Sequence, residues 1–297
     1  MSSVNRAARR AAAVLCAVPV LWSGAAASQE GWEAPPAARL PEEARSALVR
    51  FESFLGGVSD LSPRLRSGLE VADAVRKGGA YEPQQFSEGM ILYAALAAAE
   101  APDFVDAARR RARAVGREAM IAELVEAPQT AARLAGAREA EARAAAALRR
   151  EAERLAAGGR AMKQASYDVQ AQAWSRAFTP EAARLLAEVK RLGDAPRPAP
   201  AVATPAGYGG GPWLIGAGAV TRAVALAAAM AIGEPADSEA VRPLAGDPAA
   251  GQCLRMAKLN YHMCLSAAGP YYEGVYCLAQ HAMLEPAQCL TRAAGAS

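Results

Sequence analysis

No cysteine occurs between Cys16 and Cys253. The chain has only two histidines, His262 and His281, and four lysines, Lys77, Lys163, Lys190 and Lys258. Aromatic residues make up 6% of it. Each scarcity excludes something. No Gly-x-Ser-x-Gly, His-Glu-x-x-His, phosphate loop or Cys-x-x-Cys is present, so the hydrolase, zincin and nucleotide signatures are missing. A histidine-dependent mechanism would have to use His262 or His281. Both sit among the clustered cysteines and read as packing or surface residues. Gly216-Ala217-Gly218 is not a dinucleotide fingerprint, because Thr221 stands where a third glycine is needed. No cofactor and no metal site is indicated.

The N-terminus has basic residues and no acid in its first ten positions. Arg6, Arg9 and Arg10 precede an apolar run from Ala11 to Trp22 and a small-residue stretch to Ser28. This is the pattern of a secretory signal peptide covering residues 1–27, with cleavage near Ala27. The expected location is the periplasm or the exterior of a bacterial cell, the excess of arginine over lysine and the abundant alanine being what a GC-rich genome encodes. The chain carries 33 basic and 30 acidic residues; cleavage removes three arginines and leaves 30 of each. A neutral mature chain offers no global electrostatic case for nucleic acid.

Helical periodicity dominates the remainder, and the expected fold class is all-α: a multi-helix body plus a C-terminal disulfide-stapled antiparallel helical hairpin. Residues 28–40 form a lead-in. A helical domain covers 41–193, a Pro/Gly-rich linker 194–212, and a second helical module 213–297. Within the body, Pro41 opens a helix ending at Gly56-Gly57. Ser62-Pro63 starts a second helix, with Leu65, Leu69, Ala72 and Val75 inward. Pro83 starts a third. Pro102 starts a fourth that reaches Glu126. The arginines from Arg109 to Arg113 read as a solvated face. Gln129–Ala157 forms a helix broken by Gly158-Gly159, with Leu134, Leu148 and Leu155 packing inside the domain. Ala161–Phe178 is another helix, whose Tyr167, Trp174 and Phe178 stripe reads as core. Trp213–Ile232 is apolar, but Arg222 at its centre would cost about 3 kcal/mol in a bilayer. A membrane span is therefore disfavoured, and a buried helix packed on the cysteine hairpin is expected.

The cysteines carry the sharpest inference. Gln252–Ala268 and Tyr271–Leu284 read as helices joined at Gly269-Pro270 and closed by Pro286. Cysteines eleven or twelve residues apart on a helix are separated by roughly 16–18 Å, whereas a disulfide needs its Cα atoms within about 7 Å. This excludes Cys253–Cys264 and Cys277–Cys289. The short turn excludes parallel helices. The nested pairs Cys253–Cys289 and Cys264–Cys277 remain. Intervals of ten, twelve and eleven residues between the cysteines do not suit zinc, whose ligands come in closer pairs.

Two disulfides across a helical hairpin resemble the twin-cysteine helical hairpins of the mitochondrial intermembrane space. That family keeps nine residues between the cysteines of each helix, so the resemblance implies architecture only. The segments Tyr81-Glu82-Pro83-Gln84-Gln85-Phe86 and Tyr167-Asp168-Val169-Gln170-Ala171-Gln172-Ala173-Trp174, with the hairpin, look like parts of exported bacterial proteins of no known activity.

The functional expectation is a non-enzymatic structural or protein-interaction protein of the bacterial envelope, with another envelope protein as its partner. Tyr271, Tyr272 and Tyr276, on or beside the hairpin turn, are its candidate contact surface. One alternative is a helical cell-wall hydrolase acting through a carboxylate. The other is an inner-membrane-anchored periplasmic protein held by residues 213–232.

Overall fold

Burial of small side chains dictates how these helices meet. The computed structural model describes residues 40–179, 182–193 and 218–295. The expected signal peptide (1–27), the expected lead-in up to residue 39 and the expected 194–212 linker lie outside the described residues, as do 213–217.

The helices, in order, are α1 (Glu42–Ser59), α2 (Gly68–Gly79), α3 (Pro83–Ala98), α4 (Pro102–Val115), α5 (Arg117–Glu126), α6 (Ala137–Gln170), α7 (Ala182–Gly193), α8 (Ala219–Ala231), α9 (Pro248–Ala267), α10 (Tyr271–Cys277) and α11 (Glu285–Ala293). Among the described residues there is no strand, only one antiparallel bridge between Phe178 and Pro270. The fold is all-α with a disulfide-stapled helical C-terminal region.

Helix α3 is the central element. Nearly its whole circumference is buried, and α1, α6, α8 and α9 pack around it. The aromatic core gathers at its start: Phe51 and Phe86 meet edge-on at 4.9 Å, and Phe54 and Tyr81 at 4.6 Å. Pro83 occupies the first turn, and the Glu82 side chain caps it by accepting from Gln84 and Gln85 N–H groups.

Several helix ends differ from expectation, for reasons tied to glycine. Helix α1 continues through Gly56-Gly57 to Ser59. Helix α2 starts at Gly68 with Ser67 as its cap, not at Ser62-Pro63. Leu69, expected inside, is 84% exposed, while Val71, Ala74 and Val75 face inward. The expected single helix from Pro102 is split at Gly116, whose φ of 92° suits only glycine. Helix α6 runs 34 residues, straight through Gly158-Gly159. A Cβ on Gly159 would lie 2.9 Å from Leu284 Cγ and 3.1 Å from Met283 Cβ. The glycine pair lets the C-terminal segment approach α6 closely, rather than breaking it. Leu148 and Leu155 are fully buried on the same helix.

The apolar segment around Arg222 forms α8, which is buried as expected. Its main neighbours are α3, α4, α6 and the turn Pro128–Arg133, not the hairpin. Arg222 is 2% exposed and donates to the Pro243 carbonyl at 2.8 Å. Burial lowers its pKa, and the Asp247 charge opposes that. Asp247 itself caps α9 by accepting from Ala250 N–H at 2.9 Å. No helix among the described residues is long and apolar enough to cross a membrane.

The C-terminal hairpin is α9 paired with a helical arm from Tyr271 to Ala293. Pro286 does not stop this arm. A seven-residue π-helical stretch, Leu278–Leu284, precedes α11, and Pro286 falls in the first turn after it. The widened turn accommodates a ring that would otherwise clash one turn back. Cys253–Cys289 and Cys264–Cys277 are bonded, with Cα separations of 5.7 and 5.6 Å. Helices from both sides of the 194–212 segment pack together, α3 on α8 and α9, and α6 on α10 and α11. Buried polar bonds join the hairpin to the body. Tyr261 donates to the Val75 carbonyl at 2.8 Å, Tyr81 to the Leu254 carbonyl at 3.4 Å, and Lys258 to the Tyr81 carbonyl. Burial, helped by the nearby Glu285 charge, drives the Tyr81 hydroxyl pKa far up, so it remains a donor.

Candidate functional site

The inner disulfide sits beside the Gly269-Pro270 turn and braces the tip of the hairpin. The turn is held from within: Glu273 accepts from Gly269 N–H at 2.8 Å. It is also held from outside. Thr179 N–H donates to the Gly269 carbonyl at 3.0 Å, and Tyr271 N–H donates to the Ala177 carbonyl at 3.3 Å. The segment after α6 is thus laid along the turn.

That segment explains the largest departure from expectation. Tyr167, Trp174 and Phe178 were expected to share one helix face in the core. Helix α6 instead ends at Gln170, and Ala173–Arg176 forms a short 3-10 turn. Ser175, fully buried, donates its hydroxyl to the Val169 and Gln172 carbonyls. Arg176 donates to the Gln170 carbonyl at 3.0 Å and to the Ala171 carbonyl at 3.3 Å. These groups satisfy the last carbonyls of α6. Trp174 and Phe178 therefore lie beyond the helix, while Tyr167 stays on α6 and faces outward. Tyr167 is 55% exposed and Phe178 76% exposed. Only Trp174 turns inward, to 6.3 Å from Tyr271.

The three hairpin tyrosines divide their roles. Tyr271 packs against α2, where a Cβ on Gly68 would lie 2.2 Å from its Cζ. Tyr272 joins Tyr167, Gln170, Ala171 and Arg176 around an open recess of about 500 Å³. Tyr276 lies under Lys163, whose Nζ is 5.2 Å from the ring centroid and 2.9 Å from Gln280 Oε1. All three are half-buried. At this end, exposed Tyr167 lines the recess with Tyr272, half-buried Trp174 faces Tyr271, and exposed Phe178 lies against Gly269 of the turn. The sequence signal that locates this end is Ser175-Arg176, a pair able to cap a helix three to six residues upstream. A second cavity, of about 20 Å³, lies between α2, α7 and α9 and is lined by Val71, Val75, Leu185, Leu186 and Leu265. It is apolar and scarcely larger than a water molecule.

The other candidate groups are more dispersed. His281 Nδ1 is 2.7 Å from Glu285 Oε1, and Asn260 donates to Glu285 Oε2 at 3.0 Å. His262 is half-buried on α9, its ring 6.5 Å from that of Tyr261. Glu52 on α1 has its pKa raised by desolvation and by Glu151 on α6. Tyr93 donates to Glu151 Oε1 at 3.1 Å. Neither recess described above is lined by this carboxylate pair. No cluster of three or more metal-ligating side chains occurs among the described residues. Arg109 and Arg111 pair with Asp106 and Glu123, as a solvated face does. Comparison of the chain with family models, curated proteins and solved structures found no match.

Proposed function

We propose that the chain is an exported protein-interaction protein of the bacterial envelope, and that the aromatic surface at the braced end of its hairpin is where it binds. The observation that carries this reading is the exposure of Tyr167, which shares a recess with Tyr272, and of Phe178, which lies against Gly269 of a turn braced by a disulfide. Large aromatic side chains on a rigid support supply binding area at little ordering cost, and tyrosine, tryptophan and arginine dominate protein interfaces. Two disulfides suit the oxidising compartment to which a signal peptide would deliver the chain.

A photo-cross-linking side chain at position 178 tests it. In envelope fractions this protein is expected to form a discrete adduct with another polypeptide. The same probe at exposed Glu153 on α6 should form none. No adduct at 178, or equal adducts at both sites, contradicts the reading.

The raised pKa of Glu52 next to Glu151 favours one second reading, a cell-wall hydrolase using a protonated carboxylic acid. Release of soluble muropeptides by the purified protein, lost in Glu52→Gln, would establish that reading and displace the first.

A further inference from the structure

The aromatic surface continues into a strip of cations, and the two together point to a kind of partner. On α6, Arg160, Lys163, Tyr167 and Gln170 fall on one face at 100° per residue, and Ala171, just past its end, continues it. This face borders α10, as the Lys163 to Tyr276 contact shows. Tyr272 and Tyr276 lie one helical turn apart on α10 itself. Arg176 closes the end of the recess, its Nε and Nη2 held on the α6 carbonyls.

Among the described residues, Arg160, Lys163 and Arg176 make no ion pair with a carboxylate, whereas Arg76, Arg143 and Arg154 do. Two acids close to the strip are engaged elsewhere. Asp168 accepts from Gln164 at 2.9 Å, and Glu273 holds the turn through Gly269 N–H. The strip therefore presents positive charge and tyrosine faces together. From Arg160 to Ala171 it runs about 16 Å along α6, the span of about five extended residues.

We infer that this strip of Arg160, Lys163, Tyr167, Tyr272 and Tyr276, with Arg176 at its end, docks an acidic segment of a partner polypeptide. The inference rests on the reading of this end as a protein-interaction surface. Carboxylates of the segment meet cations that have no carboxylate partner among the described residues, and its apolar or aromatic side chains lie on the tyrosine rings. A flat anionic membrane would meet the cations and leave the recess empty. An uncharged ligand would use the tyrosines and make no use of the positive charge beside them. Surface charges of this kind steer encounter and are screened by salt.

The test uses a fluorescein-labelled random copolymer of glutamate and tyrosine, with mature protein, followed by anisotropy. Binding is expected to weaken about tenfold or more between low and high salt. Arg160→Glu/Lys163→Glu, and separately Tyr272→Ala, should each weaken it about tenfold. The control Arg113→Glu/Arg138→Glu/Arg149→Glu should leave it unchanged, with circular dichroism confirming that every variant folds. Absence of copolymer binding overturns the inference, as does an equal loss in the control. Tighter binding of phosphatidylglycerol vesicles or oligo(dT) through the same residues also overturns it. The two readings fail differently. If the adduct from position 178 forms but the copolymer does not compete with it, only the acidic partner is wrong. If no adduct forms, the interaction surface itself is wrong.

Discussion

Replacing Cys253, Cys264, Cys277 and Cys289 together with alanine is expected to cost about 6 kcal/mol of stability. The inner bridge closes a sequence separation of 13 residues and should contribute about 3 kcal/mol by loop-closure entropy. The outer bridge spans 36 residues, but the inner one already shortens its loop, which leaves it about 3.5 kcal/mol. Cys277 and Cys289 are buried, so alanine also removes packing there. Domains have a total stability of about 5–15 kcal/mol. The quadruple variant should therefore be at or near unfolding at 37 °C, and Cys264→Ala/Cys277→Ala alone should lose about half as much. Urea unfolding of the variants and of the reduced wild type measures this. A loss below about 1 kcal/mol in the quadruple variant would mean that the helices of the hairpin need no staple.

Gly89→Ala is expected to be the most damaging single change in the body, at about 3 kcal/mol or more. A Cβ there would lie 2.4 Å from the Ala47 carbonyl oxygen and 2.6 Å from Phe51 Cβ. The first obstacle is backbone, which cannot rotate away, so α1 and α3 would have to separate and open the Phe51–Phe86 contact. For a chain of this size each kcal/mol moves Tm by about 2–4 °C, which gives a fall of about 6–12 °C. Gly57→Ala is the matched control. It lies on the exposed side of α1, with nothing within 4 Å of its Cβ position. Alanine is the better helix former by up to about 1 kcal/mol, so Gly57→Ala should raise Tm. Opposite signs at two helical glycines would separate a close-approach role from mere helix propensity. Equal signs would contradict the placement of α1 on α3.

The contrast between these glycines also shows where sequence reasoning ran out. Cysteine pairing was legible because it depends on distances along a single helix, which residue spacing supplies. The all-α class and the burial of Leu148 and Leu155 followed from periodicity in the same way. Gly56-Gly57 and Gly158-Gly159 carry the same local signal as a helix end, yet α1 and α6 pass through both. What distinguishes Gly158-Gly159 is a neighbour more than a hundred residues away, Met283 and Leu284 in the π-helical stretch. Periodicity has no access to such a partner. Pro286 misled for a related reason, since an upstream π-helical stretch removes the clash that normally ends a helix. The candidate surface was half legible. Tyr271, Tyr272 and Tyr276 were placed at the turn by the hairpin geometry. Phe178 was lost to an assumed continuous helix, because nothing but Ser175-Arg176 marks its end at Gln170, and Tyr167 was drawn onto the same buried stripe with it.

The hairpin is clamped by nested disulfides, and we propose that the chain is exported. Mass spectrometry of non-reduced peptides, from protein alkylated in intact cells and then recovered from the envelope fraction, tests this most directly. The expected result is a mature N-terminus at Ser28, with Cys253 joined to Cys289 and Cys264 joined to Cys277. Four alkylated cysteines, or Cys253 joined to Cys264, would contradict it.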